Sequence, residues 1–150
     1  MEMNDSQRIN APRQTVYDAL NDPEILKQCI PGCEELEKVS DTEMNAKVVL
    51  RIGPVKAKFA GTVELSDLVP PESYTINGEG KGGVAGFAKG GATVRLIEDG
   101  NDTILEYAVK ADIGGKLAQL GSRLINSTSK KLAGQFFKNF GKVLEEEAVA

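Results

Sequence analysis

The hydrophobic and polar positions of the chain follow two different periods, and the changes between them divide it into three parts. A short strand near residues 3–9 precedes two short segments of helical period, which open at Asn10-Ala-Pro12 and at Asp22-Pro23. From about residue 34 to residue 113, apolar side chains recur mostly at every second position, the period of a strand with one buried face. From Gly115 the period returns to 3.6 for about thirty residues, which predicts a long helix.

Two hairpins are well defined within the central part. Residues 44–52 alternate apolar and polar side chains, Gly53-Pro54 turns the chain, and residues 55–65 continue the alternation in a matching register. Asp99-Gly100 is a strong signal for a second tight turn, and residues 103–113 alternate after it. Weaker patterns predict further strands at residues 34–39, 74–78 and 85–97.

The terminal segment carries one apolar stripe with spacings of three and four residues. Its members are Leu117, Leu120, Leu124, Thr128, Leu132, Phe136 and Phe140. Phe137 falls beside the stripe and is expected to face outward. The order of elements predicts an α+β fold in which a curved antiparallel sheet of about seven strands surrounds a long C-terminal helix, with two short helices after the first strand. Residues 1–150 are predicted to form one domain, with residues 145–150 as a frayed tail.

Glycine is concentrated in the middle of the predicted sheet. Seven of the 16 glycines lie between Gly78 and Gly91. The first six residues of this stretch satisfy G-x-G-x-x-G, but a glycine-interrupted strand follows instead of a helix, which argues against a dinucleotide site. Glycines relieve strong bending of a sheet and leave space on its inner face. The glycine-rich strands therefore predict a cavity beneath the helix.

Composition removes several classes of site. The chain has no His, which excludes His-ligated zinc, a His general base and Ser-His-Asp or Cys-His nucleophiles. Two cysteines, Cys29 and Cys33, are too few for a disulfide scaffold. Their position at a Pro-Gly turn favours packed thiols at a loop over a redox or metal site. A net charge of −4 argues against a nucleic-acid partner.

The inward positions of the two clear hairpins carry no charged residue. A catalytic site needs ionisable groups of altered pKa, so no catalytic residue and no enzyme activity are predicted. The apolar interior suits a hydrophobic ligand instead. The residues predicted to line its cavity are Leu26, Ile30, Leu50, Ile52, Phe59, Phe87, Tyr107, Leu117, Leu120 and Leu124.

Charge is segregated along the predicted long helix. Six basic residues and no acidic residue lie between Gly115 and Leu144. They form either a cationic face for anionic lipid or an acidic partner, or the solvated side of an amphipathic helix. The candidate contact residues are Arg123, Lys130, Lys131 and Lys138. With no secretory signal and no apolar membrane span, a cytoplasmic protein is expected, peripheral on the inner face of the cell membrane where that cationic face binds lipid.

Six segments, in order along nearly the whole chain, resemble the carbon monoxide dehydrogenase G-subunit family. They are Leu20-Asn-Asp-Pro-Glu-Ile-Leu, Cys29-Ile-Pro-Gly-Cys33, Gly53-Pro-Val-Lys-Ala-Lys-Phe, Gly78-Glu-Gly-Lys-Gly-Gly, Gly86-Phe-Ala-Lys-Gly-Gly-Ala and Gly114-Gly-Lys-Leu-Ala-Gln-Leu-Gly-Ser-Arg123. The resemblance implies the START-like (SRPBCC) helix-grip fold. It also implies that the protein is a non-catalytic accessory of a molybdenum hydroxylase. The accessory protein is expected to bind an isoprenoid quinone or lipid between sheet and helix, and to assist membrane recruitment or electron-acceptor coupling of the hydroxylase.

Two other functions stay open at this point. A START-like cyclase or hydrolase acting on an aromatic or polyketide-type substrate would need an inward acid or base. An adaptor with a vestigial cavity would act only through its surface. Some relatives continue into a hydrophobic C-terminal tail, whereas this chain stops after Glu145-Glu-Glu147 and three small residues, so any membrane contact is expected to be peripheral.

Overall fold

The computed structural model describes the backbone of residues 1–149 and the side chains of residues 1–147, so the end of the predicted tail lies outside the described residues. The elements follow the order that the hydrophobic pattern predicts. The strands are β1 (Glu2–Ile9), β2 (Cys33–Lys38), β3 (Glu43–Ile52), β4 (Val55–Val69), β5 (Ser73–Lys81), β6 (Phe87–Asp99) and β7 (Asp102–Gly114). The helices are α1 (Arg13–Leu20), α2 (Pro23–Cys29), α3 (Lys116–Gln119) and α4 (Ser122–Val149), with a 3₁₀ turn at Gly83–Ala85.

The seven strands described form one antiparallel sheet in the order β1-β7-β6-β5-β4-β3-β2. The first predicted hairpin has the predicted register, since Ile52 lies opposite Val55. In the second hairpin Asp99 lies opposite Asp102, so the two turn residues are Gly100 and Asn101, one position later than the predicted Asp99-Gly100. The predicted α+β architecture, a curved sheet with two short helices after the first strand and a long C-terminal helix, is confirmed.

The main hydrophobic core lies where α1 and α2 meet one end of the sheet and the second half of α4. Among its buried members are Val16, Leu20, Ile25, Leu65, Tyr74, Leu96, Leu105, Phe140 and Leu144. The α4 residues that belong to this core start at Phe136. The Asn139 side chain donates a hydrogen bond of 3.1 Å to the Cys29 carbonyl, which joins α4 to the end of α2. The first half of α4 therefore crosses a different part of the sheet.

Phe137 belongs to the inner side of the helix. It is half-buried and packs against the main core, so the expectation that it faces outward is wrong. The physical reason is the width of the apolar stripe, because a helix lying on a concave sheet contacts it through neighbouring positions on each turn rather than through a single row.

The helical period after Gly115 is interrupted once, which corrects the expectation of a single uninterrupted helix. Gly121 adopts φ +90 between α3 and α4, a conformation that L side chains rarely take. The stripe continues through the break because Leu117 and Leu124 stay seven residues apart, and periodicity therefore does not reveal it.

Candidate functional site

Small residues occupy the inner face of the sheet beyond the main core. The register places Gly61 opposite Gly80, and Gly78 opposite Gly90, which in turn faces Ala111. Because directly opposed residues in an antiparallel sheet share a face, these five residues form one contiguous patch across four strands. Nothing larger than a methyl group rises from the patch.

An open cavity of about 330 Å³, lined by residues of the strands and by none of the described residues of α3 or α4, lies over this patch. The side chains around its floor are apolar and come from strands β3 to β7; they include Ala46, Val48, Phe59, Val63, Ile76 and Val109. A cavity of this volume falls at the lower end of the range for small-molecule sites, about 300–1,000 Å³. The site can therefore hold a hydrophobic group of modest size.

The glycines of the patch have two distinct roles. A Cβ atom on Gly90 would collide with the carbonyl oxygen of Lys110, and one on Gly61 would lie 2.7 Å from a carbonyl oxygen of β5. These two glycines permit close approach of the strands. A Cβ on Gly78 or Gly80 would have its nearest neighbour at 3.5 Å or 4.0 Å, which is ordinary van der Waals contact. At Gly78 and Gly80 the missing side chain therefore leaves open space, and this space is the floor of the cavity.

Phe59 forms one end wall of the cavity. It is half-buried, and its ring lies on Gly82, where an added Cβ would come within 2.7 Å of the ring. Phe59 is a predicted lining residue that the structure places in the wall.

Two other predicted lining residues lie in or against the main core. Leu26 of α2 packs against the core cluster. Tyr107 of β7 does so as well, with its ring stacked on that of Phe137. Both side chains are on the inner side of the sheet, as the cavity is, but they lie at the end that the main core fills.

A further group of predicted lining residues lies around the opposite end. Leu117 of α3 is buried, and Leu124 of α4 lies against the β3–β4 turn, where a Cβ on Gly53 would come within 2.9 Å of its Cδ2 atom. Four more are half-buried, and none of them is among the described residues that line the 330 Å³ cavity: Ile30, Leu50, Ile52 and Leu120.

The placement of Phe87 in the cavity is corrected by the strand register. Ala88 lines the cavity, so its neighbour Phe87 points to the outer face of β6. There its ring covers Gly114, the residue directly opposite on β7, and 45% of Phe87 stays exposed. The parity is ambiguous in sequence because Gly90-Gly91 interrupts the alternation that marks the inner face.

Three strand residues line the cavity although the sequence pattern does not single them out as lining residues. Val48, Val63 and Val109 all have inward parity in the alternating pattern and lie in strands that border the glycine patch. Inward parity in strands adjacent to the glycines is the signal that could have identified them.

Three ionisable residues, Glu79, Lys89 and Lys110, border the cavity, but each has outward parity on its strand. Lys110 pairs with Glu2 at 3.6 Å, and Lys81 pairs with Glu79 at 3.8 Å, all four side chains being largely exposed. Asp5 has inward parity opposite Tyr107, but it is exposed on the edge strand β1. Residues 1–147 contain no group of three or more acidic, Cys or His side chains placed to hold a metal ion.

The tyrosines of the interior are protonated at neutral pH. Burial raises the pKa of Tyr74 far above its ordinary value, and burial together with the charge of Asp5 raises the pKa of Tyr107. Tyr17 packs edge-on against Tyr74, with ring centroids 5.6 Å apart, and burial raises its pKa as well. These phenols can donate hydrogen bonds but are poor bases.

The two thiols and the helix cations lie outside the cavity. Cys29 is buried and Cys33 half-buried, and both are free. The four candidate contact residues Arg123, Lys130, Lys131 and Lys138 are exposed, and within the described part of the chain none of them forms an ion pair. No helix described is long and apolar enough to cross a membrane.

A family model for CoxG, the carbon monoxide dehydrogenase G subunit, matches residues 6–145. No curated protein sequence gives a significant match. A conserved protein from Geobacillus kaustophilus has a similar structure, with a TM-score of 0.92, 31% identity and coverage of 97% of this chain and 96% of that chain.

More distant structures share the fold alone. A protein from Thermus thermophilus is 18% identical, with a TM-score of 0.70 and 95% of each chain covered. The Zhui aromatase/cyclase from Streptomyces is 10% identical, with a TM-score of 0.71 over 99% of this chain and 95% of that chain. One of these two similar structures is named as an enzyme and the other is not, so the shared fold does not by itself indicate an activity.

Proposed function

Because the chain belongs to the carbon monoxide dehydrogenase G-subunit family, we propose that it is a non-catalytic accessory protein that carries a quinone- or lipid-like ligand. The observation that carries this proposal is the 330 Å³ apolar cavity whose floor is formed by Gly78 and Gly80. Side chains would fit at Gly78 and Gly80, and their absence leaves a volume that a ligand can occupy.

The energetics of the cavity favour an apolar ligand. Removing apolar surface from water contributes about 25 cal/mol per Å², so a ligand that buries about 200 Å² of apolar surface gains about 5 kcal/mol before the costs of association. A charged group would find no ion partner on the inner face, because the charged residues that border the cavity, Glu79, Lys89 and Lys110, have outward parity on their strands. An isoprenoid chain or an acyl chain meets both conditions.

The chemistry of the interior supports a carrier more than a catalyst. The tyrosines keep their protons at neutral pH, and no His exists in the chain. The cyclase alternative is supported by fold similarity to the Streptomyces aromatase/cyclase, but the inward acid it would use, Asp5, lies exposed at the edge of the sheet.

As an accessory protein, the chain would contact a molybdenum hydroxylase through the cations of α4. Lys130, Lys131 and Lys138 are exposed and make no ion pair among the described residues, so their charges are free to meet acidic side chains of another protein. Replacing all three by Glu is expected to abolish complex formation with a purified hydroxylase of this type in size-exclusion chromatography.

The ligand proposal is tested by native mass spectrometry of protein purified without detergent and then incubated with decylubiquinone or phosphatidylglycerol. The wild-type protein is expected to gain the mass of one ligand. The double variant Gly78→Leu, Gly80→Leu fills the floor of the cavity and is expected to stay empty.

A matched control carries the same side chain on the other face of the sheet. Thr93 is exposed on β6, so Thr93→Leu adds a leucine outside the cavity and should bind as the wild type does. The proposal fails if the wild type takes up neither probe, or if the filled variant binds as well as the control.

A further inference from the structure

Three turns meet at the end of the molecule that lies opposite the main core. The core residues Leu65 and Leu105 occupy one end of β4 and β7, and these turns occupy the other. The turns belong to three segments, which together we name the tip: residues 51–58, 81–89 and 113–123.

Glycine contacts join the segments of the tip. A Cβ on Gly115 would lie 2.5 Å from the Cα atom of Gly86, so the 3₁₀ turn and the start of α3 pack backbone against backbone. Gly53, in the β3–β4 turn, packs against Leu124 directly after the third segment. The tip is therefore one continuous surface.

The ionisable residues of the tip are all cationic. The tip holds seven of the 18 basic residues of the chain and none of its 22 acidic residues. The seven, all exposed, are Arg51, Lys56, Lys58, Lys81, Lys89, Lys116 and Arg123. Two of them have acidic neighbours outside the tip, Lys58 at 3.3 Å from Glu34 and Lys81 at 3.8 Å from Glu79. In a chain of net charge −4, this end is strongly positive.

An apolar side chain stands at the apex of this cationic surface. Val84, in the 3₁₀ turn, is 84% exposed, more than any other large hydrophobic residue described. Gly83 before it and Gly86 after it have φ of +59 and +116, so the turn that presents Val84 depends on glycine. Covering an exposed valine with an apolar partner removes its side chain from water, which lowers the free energy of the system.

We propose that the tip docks on an anionic lipid bilayer, with Val84 inserted at the interface and the lysines and arginines against the headgroups. A fluid anionic surface suits cations that are spread over three turns, because headgroups can move to each of them. Each Lys or Arg near such a surface is attracted to it, and the inserted side chain adds its transfer free energy.

The opposite end of the molecule supports this orientation. The turns there carry three exposed acids that form no ion pair among the described residues, Asp41, Asp67 and Glu72. Glu98 and Asp99 also lie there and pair with Arg13 and Arg8. An anionic surface repels that end and attracts the tip, so the protein approaches with the tip first. The docking surface is distinct from the lysines of the middle of α4.

Docking through the tip would bring the cavity close to the membrane. The ring of Phe59, the end wall, lies on Gly82, two residues before Val84. A hydrophobic ligand could then pass between bilayer and cavity beside Phe59. This step rests on the proposed function, whereas docking itself does not.

The test is co-sedimentation with vesicles of phosphatidylcholine that contain, or lack, phosphatidylglycerol. The wild-type protein is expected to bind only the anionic vesicles and to be released by salt. Val84→Ser should weaken binding by about tenfold, which is the transfer free energy of one valine, about 1.5 kcal/mol. Lys56→Glu combined with Lys116→Glu should weaken it by more than about a hundredfold.

Two control variants separate the tip from the rest of the surface. Ile97→Ser removes an exposed apolar side chain at the far end, and Lys130→Glu combined with Lys131→Glu reverses two charges on α4. Both are expected to bind vesicles within about threefold of the wild type. Ile97 lies at the far end, and Lys130 follows the last residue of the tip by about 10 Å of helix, a distance at which salt screens most of the attraction.

Three results would overturn the docking proposal: no binding of the wild type to anionic vesicles, equal binding to neutral ones, or as large a loss in the α4 variant as in the tip variant. Native mass spectrometry of the same variants with decylubiquinone reports on the cavity alone. Retained ligand binding with lost vesicle binding would therefore leave the proposed function standing.

Discussion

Phe137 of α4 stacks on Tyr107 of β7, with ring centroids 5.5 Å apart and an angle of 30° between the ring planes. Phe136 meets Phe137 edge-on at 5.2 Å and lies parallel to Phe140 at 5.9 Å. A run of four rings thus connects the inner face of the sheet to the helix. Val109, two residues after Tyr107 on the same face, already lines the cavity, so the rings stand at the boundary between core and cavity.

The Tyr107–Phe137 pair is expected to contribute coupling energy beyond the surface it buries. In a double-mutant cycle of Tyr107→Leu and Phe137→Leu, we expect a coupling of about 0.5–1.5 kcal/mol, the usual value for an aromatic pair. Urea unfolding of the four proteins measures it. The pair Tyr17→Leu and Phe137→Leu, whose rings form no aromatic pair among the described residues, should show no coupling above about 0.5 kcal/mol. Equal coupling in both cycles would contradict a direct interaction.

The two roles of glycine on the inner face predict opposite effects of the same substitution. Gly90→Ala forces a methyl group into the backbone of β7 and is expected to lower the free energy of unfolding by about 2 kcal/mol. Gly78→Ala finds its nearest neighbour at 3.5 Å and should leave stability unchanged or raise it by up to about 1 kcal/mol. Chemical denaturation compares the two variants, and a similar loss in both would disprove the distinction.

The hydroxyl group of Thr103 is expected to stabilise the connection between β1 and α1. It is fully buried, and its Oγ1 atom donates a hydrogen bond of 2.8 Å to the carbonyl oxygen of Ala11. Thr103→Val keeps the shape but leaves that carbonyl without its donor, which should cost about 1–3 kcal/mol in thermal or urea unfolding. Thr93→Val, at an exposed position of β6, is the control and should change stability by less than about 0.5 kcal/mol.

Cys29 is expected to make the protein less stable at alkaline pH. Burial raises its pKa from 9.0 to about 11, so between these values the unfolded chain loses the thiol proton while the folded protein keeps it. Stability from this group is complete below pH 9 and falls as the pH rises towards 11, by on the order of 2 kcal/mol.

Cys29→Ala isolates the effect of this thiol. The variant loses packing at every pH, but between pH 9 and 11 its stability should fall less steeply than that of the wild type. Other groups of raised pKa, such as Tyr74 and Cys33, are present in both proteins and cancel in the comparison. Parallel stability curves over this range would contradict the prediction.

The sheet can be predicted from the sequence because the strand register and the burial of one face both produce the same alternation of apolar and polar residues. A hairpin with Ile52 opposite Val55 is required when two alternating patterns flank a two-residue turn, and the structure has that pairing. The pattern fails at β6, where consecutive glycines leave no side chain to indicate a face, and it therefore puts Phe87 on the wrong side.

The position of the cavity can be predicted only in part. Periodicity shows which side of a helix faces the sheet, and it therefore favours leucines such as Leu120 and Leu124 as lining residues. It does not show how far the helix lies from each part of the sheet, because that distance depends on the coiling of the strands and on the chain reversal at Gly121. Phe59 does lie in the wall, since a large inward side chain beside glycines covers them.

The spatial separation of the core from the glycine patch has a consequence for how members of such a family can diverge. A single-codon change at Gly78 or Gly80 alters the depth of the cavity while the buried core residues, clustered around α1, α2 and Phe140, stay unchanged. Selection can therefore adjust which ligand fits in small steps, each almost free of a stability penalty. A scaffold arranged in this way is well suited to acquiring new cargo without passing through unfolded intermediates in its evolution.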